Sequence, residues 1–284
     1  MMASIQQEKA PNPGLNIYGC ASVNPVKLTI AAEELEDRLV DPQTSIPYNF
    51  INLDMAAGEL KAEWSKSINP NGRVPAIVHV KEDGTIVKMF ESAPCLLYIA
   101  SEFDGEHKLS YPVGTQEYWT QLSWVIAGYG PMMGQANHFN RYATEAVPYG
   151  SWRYTSEARR LNDVWDKQLS TSPFIGGDRL TIADIAIFIF AHSAKWCGVD
   201  ISEHPHIKAW HDKLFERPAF RRALQIPMPY QFSDAAVSDP EAQEFYKMQR
   251  KFGGQMIHGA TDAWKGKAVP LSPDHANYSA AESS

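Results

Sequence analysis

The first hundred residues pass between short apolar runs and stretches of helical spacing. L-N-I-Y-G at 15–19 reads as a strand, and K-L-T-I-A-A-E-E-L at 27–35 combines helical spacing with good helix formers. Y-N-F-I-N-L-D at 48–54 predicts a second strand. A helix is expected from Glu59 to about Ser67, stopped by N-P-N-G at 69–72. P-A-I-V-H-V at 75–80 predicts a third strand. The E-D-G-T turn at 82–85 and T-I-V-K-M-F at 85–90 then complete a hairpin. Ser92 to Ser101 predicts another helix, so the order is β-α-β-α-β-β-α.

From about Tyr118 the spacing is helical throughout, with apolar-periodic stretches near 116–143, 150–170, 182–197 and 205–215. The polar run F-D-G-E-H-K-L-S-Y-P-V-G at 103–114 separates the two halves. The expected organisation is a flexible arm over 1–14, an α/β domain over 15–102, an all-helical domain over 115–229 and an extension over 230–284. Pro227, Pro229, Pro240, Pro270 and Pro273 interrupt the last stretch, and its end, H-A-N-Y-S-A-A-E-S-S, reads as disordered. L-T-I-A-D-I at 180–185 has the spacing of a helix capping box, with Thr181 as the cap and Asp184 reaching back to it. Leu180 and Ile185 would clamp the turn. Such a cap stabilises by ~1 kcal/mol, so Asp184 is expected to serve folding rather than catalysis.

Composition narrows the function. The 284 residues carry a formal charge of −7, which leaves no basic stripe for nucleic acid. No apolar run is long enough to cross a bilayer; I-A-I-F-I-F-A at 185–191 is the longest. The polar N-terminus and three scattered cysteines (Cys20, Cys95, Cys197) lead us to expect a cytoplasmic protein without a disulfide framework. The histidines show no metal-ligand spacing, so no metal is expected.

Two strings carry chemistry: R-V-P-A-I at 73–77 and E-S-A-P at 91–94. In a β-α-β-α-β-β-α domain, the thioredoxin-like order, the first would hold a peptide by its backbone and the second would cap its far end. Glutathione is the matching tripeptide. With T-I-A-D-I in the second half, the chain resembles the glutathione S-transferases: a thioredoxin-like domain followed by an all-helical one. G-P-M-M-G-Q-A-N-H-F-N at 130–140, Pro148-Tyr149 and Arg153-Tyr154 are similar to the nu class and related fungal enzymes. The resemblance covers about residues 16–225. It implies a homodimer, glutathione as co-substrate, a small-molecule disulfide or electrophile as partner, and disulfide reduction as an activity. The family's T-P-N-G motif corresponds here to Ser22-Val23-Asn24-Pro25, which keeps the hydroxyl and the asparagine. Glu59 stands where nu-class members often carry glutamine.

A free thiol of pKa ~8.5 is only a few per cent ionised at neutral pH. Lowering it by ~2 units takes ~2.7 kcal/mol of thiolate stabilisation. The Ser22 hydroxyl, the Asn24 amide and the positive end of the helix they begin can supply this. Ordinary helix capping is the competing role of both residues. A cis Val74-Pro75 bond is expected, presenting the Val74 backbone to the cysteinyl unit as an added strand would. Ser92 would take the γ-glutamyl carboxylate, Glu91 its amino group and Arg73 the glycyl carboxylate. Arg153 is implied as a holder of a second glutathione. Glu59, Gln135, Asn137 and His138 form a candidate acceptor site, with Trp119, Trp124 and Met132-Met133 as apolar wall or core. Cys20 lacks a partner at Cys-x-x-Cys spacing and reads as a packed strand-end residue; Cys95 reads as core. The function expected is a glutathione-dependent transferase or disulfide-bond reductase. The alternatives are a biosynthetic transferase conjugating a reactive metabolite and a catalytically weak glutathione-binding regulator.

Overall fold

The computed structural model describes residues 9–35, 47–127, 129–143, 145–237 and 247. The first half runs β1 (Gly14–Gly19), α1 (Val23–Leu35), β2 (Tyr48–Asn52), α2 (Glu63–Lys66), β3 (Ala76–Val80), β4 (Ile86–Phe90) and α3 (Ser92–Phe103). The four strands form one sheet in the order β2-β1-β3-β4. β2 lies parallel to β1, whereas β3 and β4 are antiparallel to their neighbours. This is the mixed sheet of a thioredoxin-like unit, with α1 and α3 packed on one another.

The second half is helical: α4 (Gln116–Ile126), α5 (Tyr129–Asn137), a π-turn (His138–Tyr142), α6 (Pro148–Leu169), α7 (Ile182–His192), α8 (Pro205–Phe215), α9 (Pro218–Ala223) and α10 (Asp234–Val237). Prolines open α6, α8 and α9, where the missing N–H has no intrahelical partner to lose. Every residue of α7 from Ile182 to Ala191 is buried, so this helix is the axis of the second half. It packs on α1 and α3 and joins both halves into one apolar core.

The capping box is present. Thr181 Oγ1 accepts from the Ala183 N–H at 3.2 Å, and the Thr181 N–H donates to Asp184 Oδ2 at 2.9 Å. The Asp184 carboxylate also accepts from the Ile175 N–H at 2.8 Å and the Trp210 indole at 2.9 Å.

Three expected helices differ in extent. The Glu59–Ser67 helix is a 3₁₀ turn (Glu59–Lys61), an extended Ala62 and a single turn of α2. The Glu59 carboxylate folds back onto the Asp54 N–H at 2.7 Å, which ties the segment into a loop. The long stretch near 116–143 divides into α4, α5 and the π-turn, in a region rich in glycine and carrying Pro131. The stretch near 182–197 stops at His192, and a 3₁₀ turn over Lys195–Cys197 ends at left-handed Gly198. Beyond Pro227, Tyr230 and Phe232 pack around His192 and Trp196. Most of the extension, including E-F-Y-K-M-Q-R-K-F at 244–252 apart from Lys247, lies outside the described residues, as do residues 1–8 of the arm.

Candidate active site

Strand register assembles the site. Tyr18, near the end of β1, stands beside Ala76, the first residue of β3. Ala76 in turn faces Phe90, the last residue of β4. Three connections therefore emerge at one end of the sheet: Cys20–Asn24 after β1, Val74-Pro75 before β3, and Glu91-Ser92 after β4. The segment after β2 joins them, because the Leu53 N–H donates to the Gly19 carbonyl at 2.7 Å. Gly19 is required at this crossing. A Cβ there would fall 2.7 Å from Phe50 Cζ and 2.8 Å from Pro25 Cβ.

Ser22 directly precedes α1, and Asn24 lies in its first turn. Both are half-buried, with their polar groups near the positive end of the helix. The Ser22 N–H donates to the Cys20 carbonyl at 2.7 Å, which folds the loop tightly. The Val74-Pro75 bond is cis. Asn69 Nδ2 braces the approach to it by donating to the Arg73 carbonyl at 2.7 Å, while the Arg73 side chain is exposed. Glu91 occupies the position before α3 with φ 70°, a conformation that non-glycine side chains seldom adopt. Such backbone costs of order 1–3 kcal/mol and gathers at ligand sites. The Glu91 carboxylate is exposed and accepts from Asn71 Nδ2 at 3.4 Å. Ser92 opens α3, so its hydroxyl and amide lie at that helix's positive end.

Burial works against ionisation of all three cysteines. Cys20 Sγ sits 3.7 Å from Ser22 Oγ and 3.5 Å from Met55 Sδ, and burial pushes its thiol up. Burial drives Cys95 and Cys197 up to about 12.

The other expected residues lie elsewhere. Glu59 is buried in its own loop, 3.6 Å from Lys9 Nζ, so its carboxylate is already engaged. Gln135 and Asn137 lie in α5, His138 opens the π-turn, and Arg153 lies early in α6, which packs against α5. Gln135 is exposed, and the His138 ring meets Phe139 edge-on at 4.9 Å. Arg153 is exposed and lies 3.6 Å from Glu157. Among the described residues, no hydrogen bond or ion pair joins these four to the sheet end. Trp119 is exposed, whereas Met133 is fully buried in the core.

One charged group at the site escaped the sequence reading. Lys27, one helical turn past Asn24, is 5% exposed. Its Nζ lies 4.4 Å from the centre of the Phe190 ring of α7. The sequence signal was a single lysine inside the apolar run P-V-K-L-T-I-A-A. The histidine pair His192–His211, 3.1 Å apart between α7 and α8, was also missed.

A thioredoxin-like sheet with these three connections, followed by a helical unit organised on a capped central helix, defines a glutathione transferase architecture. The family model for the glutathione S-transferase C-terminal domain matches residues 155–218. The disulfide-bond oxidoreductase YfcG of Escherichia coli is 34% identical over 215 residues, spanning 74% of this chain and 94% of its own. A glutathione transferase homolog from Lodderomyces elongisporus, solved with two glutathiones per subunit, superposes with a TM-score of 0.68. It is 32% identical, over 76% of this chain and 100% of that one. The glutathione transferase URE2P6 of Phanerochaete chrysosporium, in complex with oxidized glutathione, gives 0.67 at 32% identity, over 76% of this chain and 96% of that one. The chain belongs to the glutathione S-transferase family.

Proposed function

We propose that this protein binds glutathione at the sheet end and uses its thiolate to reduce a small disulfide. The observation that carries the reading is the convergence of Ser22-Asn24, Val74-Pro75 and Glu91-Ser92 through the β1-β3-β4 register. The name of the Escherichia coli relative, and the oxidized glutathione bound by the Phanerochaete protein, support a disulfide as second substrate.

In this account the Val74 backbone pairs with the cysteinyl unit, Ser92 takes the γ-glutamyl carboxylate and Glu91 its ammonium group. Arg73 takes the glycyl carboxylate. Ser22 Oγ and Asn24 Nδ2 donate to the sulfur and hold it as thiolate. The thiolate attacks one sulfur of the disulfide. A glutathione mixed disulfide forms, and the second sulfur leaves as thiolate and takes up a proton. A second glutathione, held with the help of Arg153, attacks the mixed disulfide. It releases the remaining thiol and leaves oxidised glutathione. No protein cysteine takes part, in keeping with the buried, raised thiols. The protein acts as a homodimer in the cytoplasm, and Gln135, Asn137 and His138 line the acceptor side.

The test is turnover of a small disulfide with glutathione, set beside a generic aryl electrophile. Disulfide turnover is the expected result. Aryl conjugation alone would move the assignment to a conjugating, biosynthetic transferase. Glutathione binding with neither activity would move it to a regulator.

A further inference from the structure

The turn over 69–73 is anchored more heavily than an exposed turn needs. Asn69, 2% exposed, donates from Nδ2 to the Arg73 carbonyl at 2.7 Å and accepts on Oδ1 from the Asn71 N–H at 3.0 Å. The Gly72 N–H donates to the Asn69 carbonyl at 2.9 Å. Gly72 is left-handed, at φ 59°, and a Cβ there would fall 2.9 Å from the Leu60 carbonyl oxygen. Lys61 Nζ donates to the Asn71 carbonyl at 3.4 Å. Asn71 is thus fixed through its N–H, its carbonyl and the residue that follows it, although it is itself exposed.

That anchoring delivers one contact. Asn71 Nδ2 donates to Glu91 Oε1 at 3.4 Å, from the turn to the start of α3. Among the described residues, neither side chain makes another hydrogen bond. Asn71 stands three residues before Val74, whose bond to Pro75 is cis, and the φ of 70° at Glu91 sets where its side chain leaves the backbone. An exposed ion pair is weak largely because two mobile side chains must be held in one arrangement. Glu91 faces that loss whenever it meets an ammonium group from solution. A carboxylate has lone pairs for several donors, so an amide on Oε1 leaves Oε2 open. Holding the carboxylate before a ligand arrives removes part of the ordering cost.

We propose that Asn71 is a positioning residue that sets ligand specificity: it holds the Glu91 carboxylate so that the site selects ligands with a free ammonium group on the γ-glutamyl unit. The inference rests on the reading that the cleft holds glutathione with that group on Glu91. One anchored turn then serves both ends of the grip. Through Asn69 it fixes the Arg73 carbonyl at the approach to Val74-Pro75, and through Asn71 it fixes Glu91. The Asn71 amide acts through Glu91 alone, so its contribution belongs to the ligand's amino group. The contacts assigned to Val74 and Ser92 do not depend on it.

The experiment is calorimetry with two ligands: glutathione, and glutaryl-cysteinyl-glycine, the same tripeptide without its amino group. The parent should bind glutathione more tightly. Asn71→Ala should lose roughly three- to tenfold in affinity for glutathione, the worth of one hydrogen bond, and stay within about twofold for the deamino ligand. On a Glu91→Ala background the same change should have no further effect on glutathione affinity. A turn residue that only shaped the loop would weaken both ligands alike. Equal losses for the two ligands, or no loss for glutathione, overturn the role of Asn71 alone. Equal parent affinities for the two ligands overturn the pairing of Glu91 with the ammonium group, and the inference with it, while glutathione binding stands. If the Glu91→Ala protein does not fold or binds too weakly to measure, the comparison of the two ligands decides by itself. No binding of glutathione by the parent overturns the functional reading and this inference with it.

Discussion

Replacing Asp184 with alanine should be among the most damaging single changes in the protein, although Asp184 lies in the buried capping box rather than at the sheet end. Its carboxylate is fully buried and accepts from the Ile175 N–H at 2.8 Å, the Thr181 N–H at 2.9 Å and the Trp210 indole at 2.9 Å. The Thr181 hydroxyl donates to it as well, at 3.0 Å; alanine leaves the three N–H donors buried without an acceptor, at ~1–3 kcal/mol each before relaxation, while the hydroxyl can turn elsewhere. Thr181 Oγ1 still caps Ala183, which retains part of the cap. The expected loss is roughly 3–6 kcal/mol, a large share of the stability of a typical domain. Asp184→Asn retains one acceptor oxygen, so it serves two of the donors and presents its own N–H groups to the third. It should cost about half as much. Urea denaturation followed by tryptophan fluorescence measures both, and Trp210 reports on the site itself. A loss below about 1 kcal/mol for Asp184→Ala would refute the reasoning. So would unchanged stability with lost turnover, which would place Asp184 in the chemistry.

Two further expectations follow from the packing and a third from the family resemblance. Burial and the neighbouring His211 hold His192 down at about 3, so its folded form stays neutral while the unfolded chain titrates near 6.5. The unfolded state then binds more protons, and stability is lost as pH falls from 6.5 towards 3, by roughly 2 kcal/mol at pH 5; His192→Gln should flatten that slope in thermal melts against pH. Gly19→Ala should destabilise by roughly 1–3 kcal/mol and weaken glutathione binding, because its Cβ would strike Phe50 and Pro25; calorimetry at unchanged affinity would count against the tight crossing. Light scattering at micromolar concentration should give about twice the chain mass if the proposed homodimer forms, and a monomer would contradict that proposal.

The parts of the site legible in the sequence were those built from neighbours along the chain. Thr181 and Asp184 are three residues apart, so spacing alone exposed the capping box. Ser22-Asn24 and Glu91-Ser92 sit at helix starts, which local composition marks. Strand alternation placed β1, β3 and β4, and their register brought those segments to one end. What spacing could not show was the direction of long side chains. Glu59 has the composition of a helix start, yet its carboxylate turns back onto Asp54, and the expected helix shrinks to two short turns. Lys27 looks like a solvated helix lysine until Phe190, more than 160 residues later, closes over it. His192 and His211 pair only because α7 and α8 pack side by side.

The central claim is that the reacting sulfur belongs to glutathione and that Ser22 and Asn24 hold it as thiolate. Thiolate absorbance of the protein–glutathione complex, titrated against pH, tests this directly. Ser22→Ala and Asn24→Ala should each raise the bound thiol's pKa by roughly one to two units, the loss of one charge-assisted hydrogen bond. Ser92→Ala should weaken binding while leaving that pKa nearly unchanged, and Cys20→Ser should alter neither. The account is contradicted if the Ser22 and Asn24 variants titrate like the parent while Cys20→Ser abolishes turnover, because the sulfur chemistry would then belong to the protein.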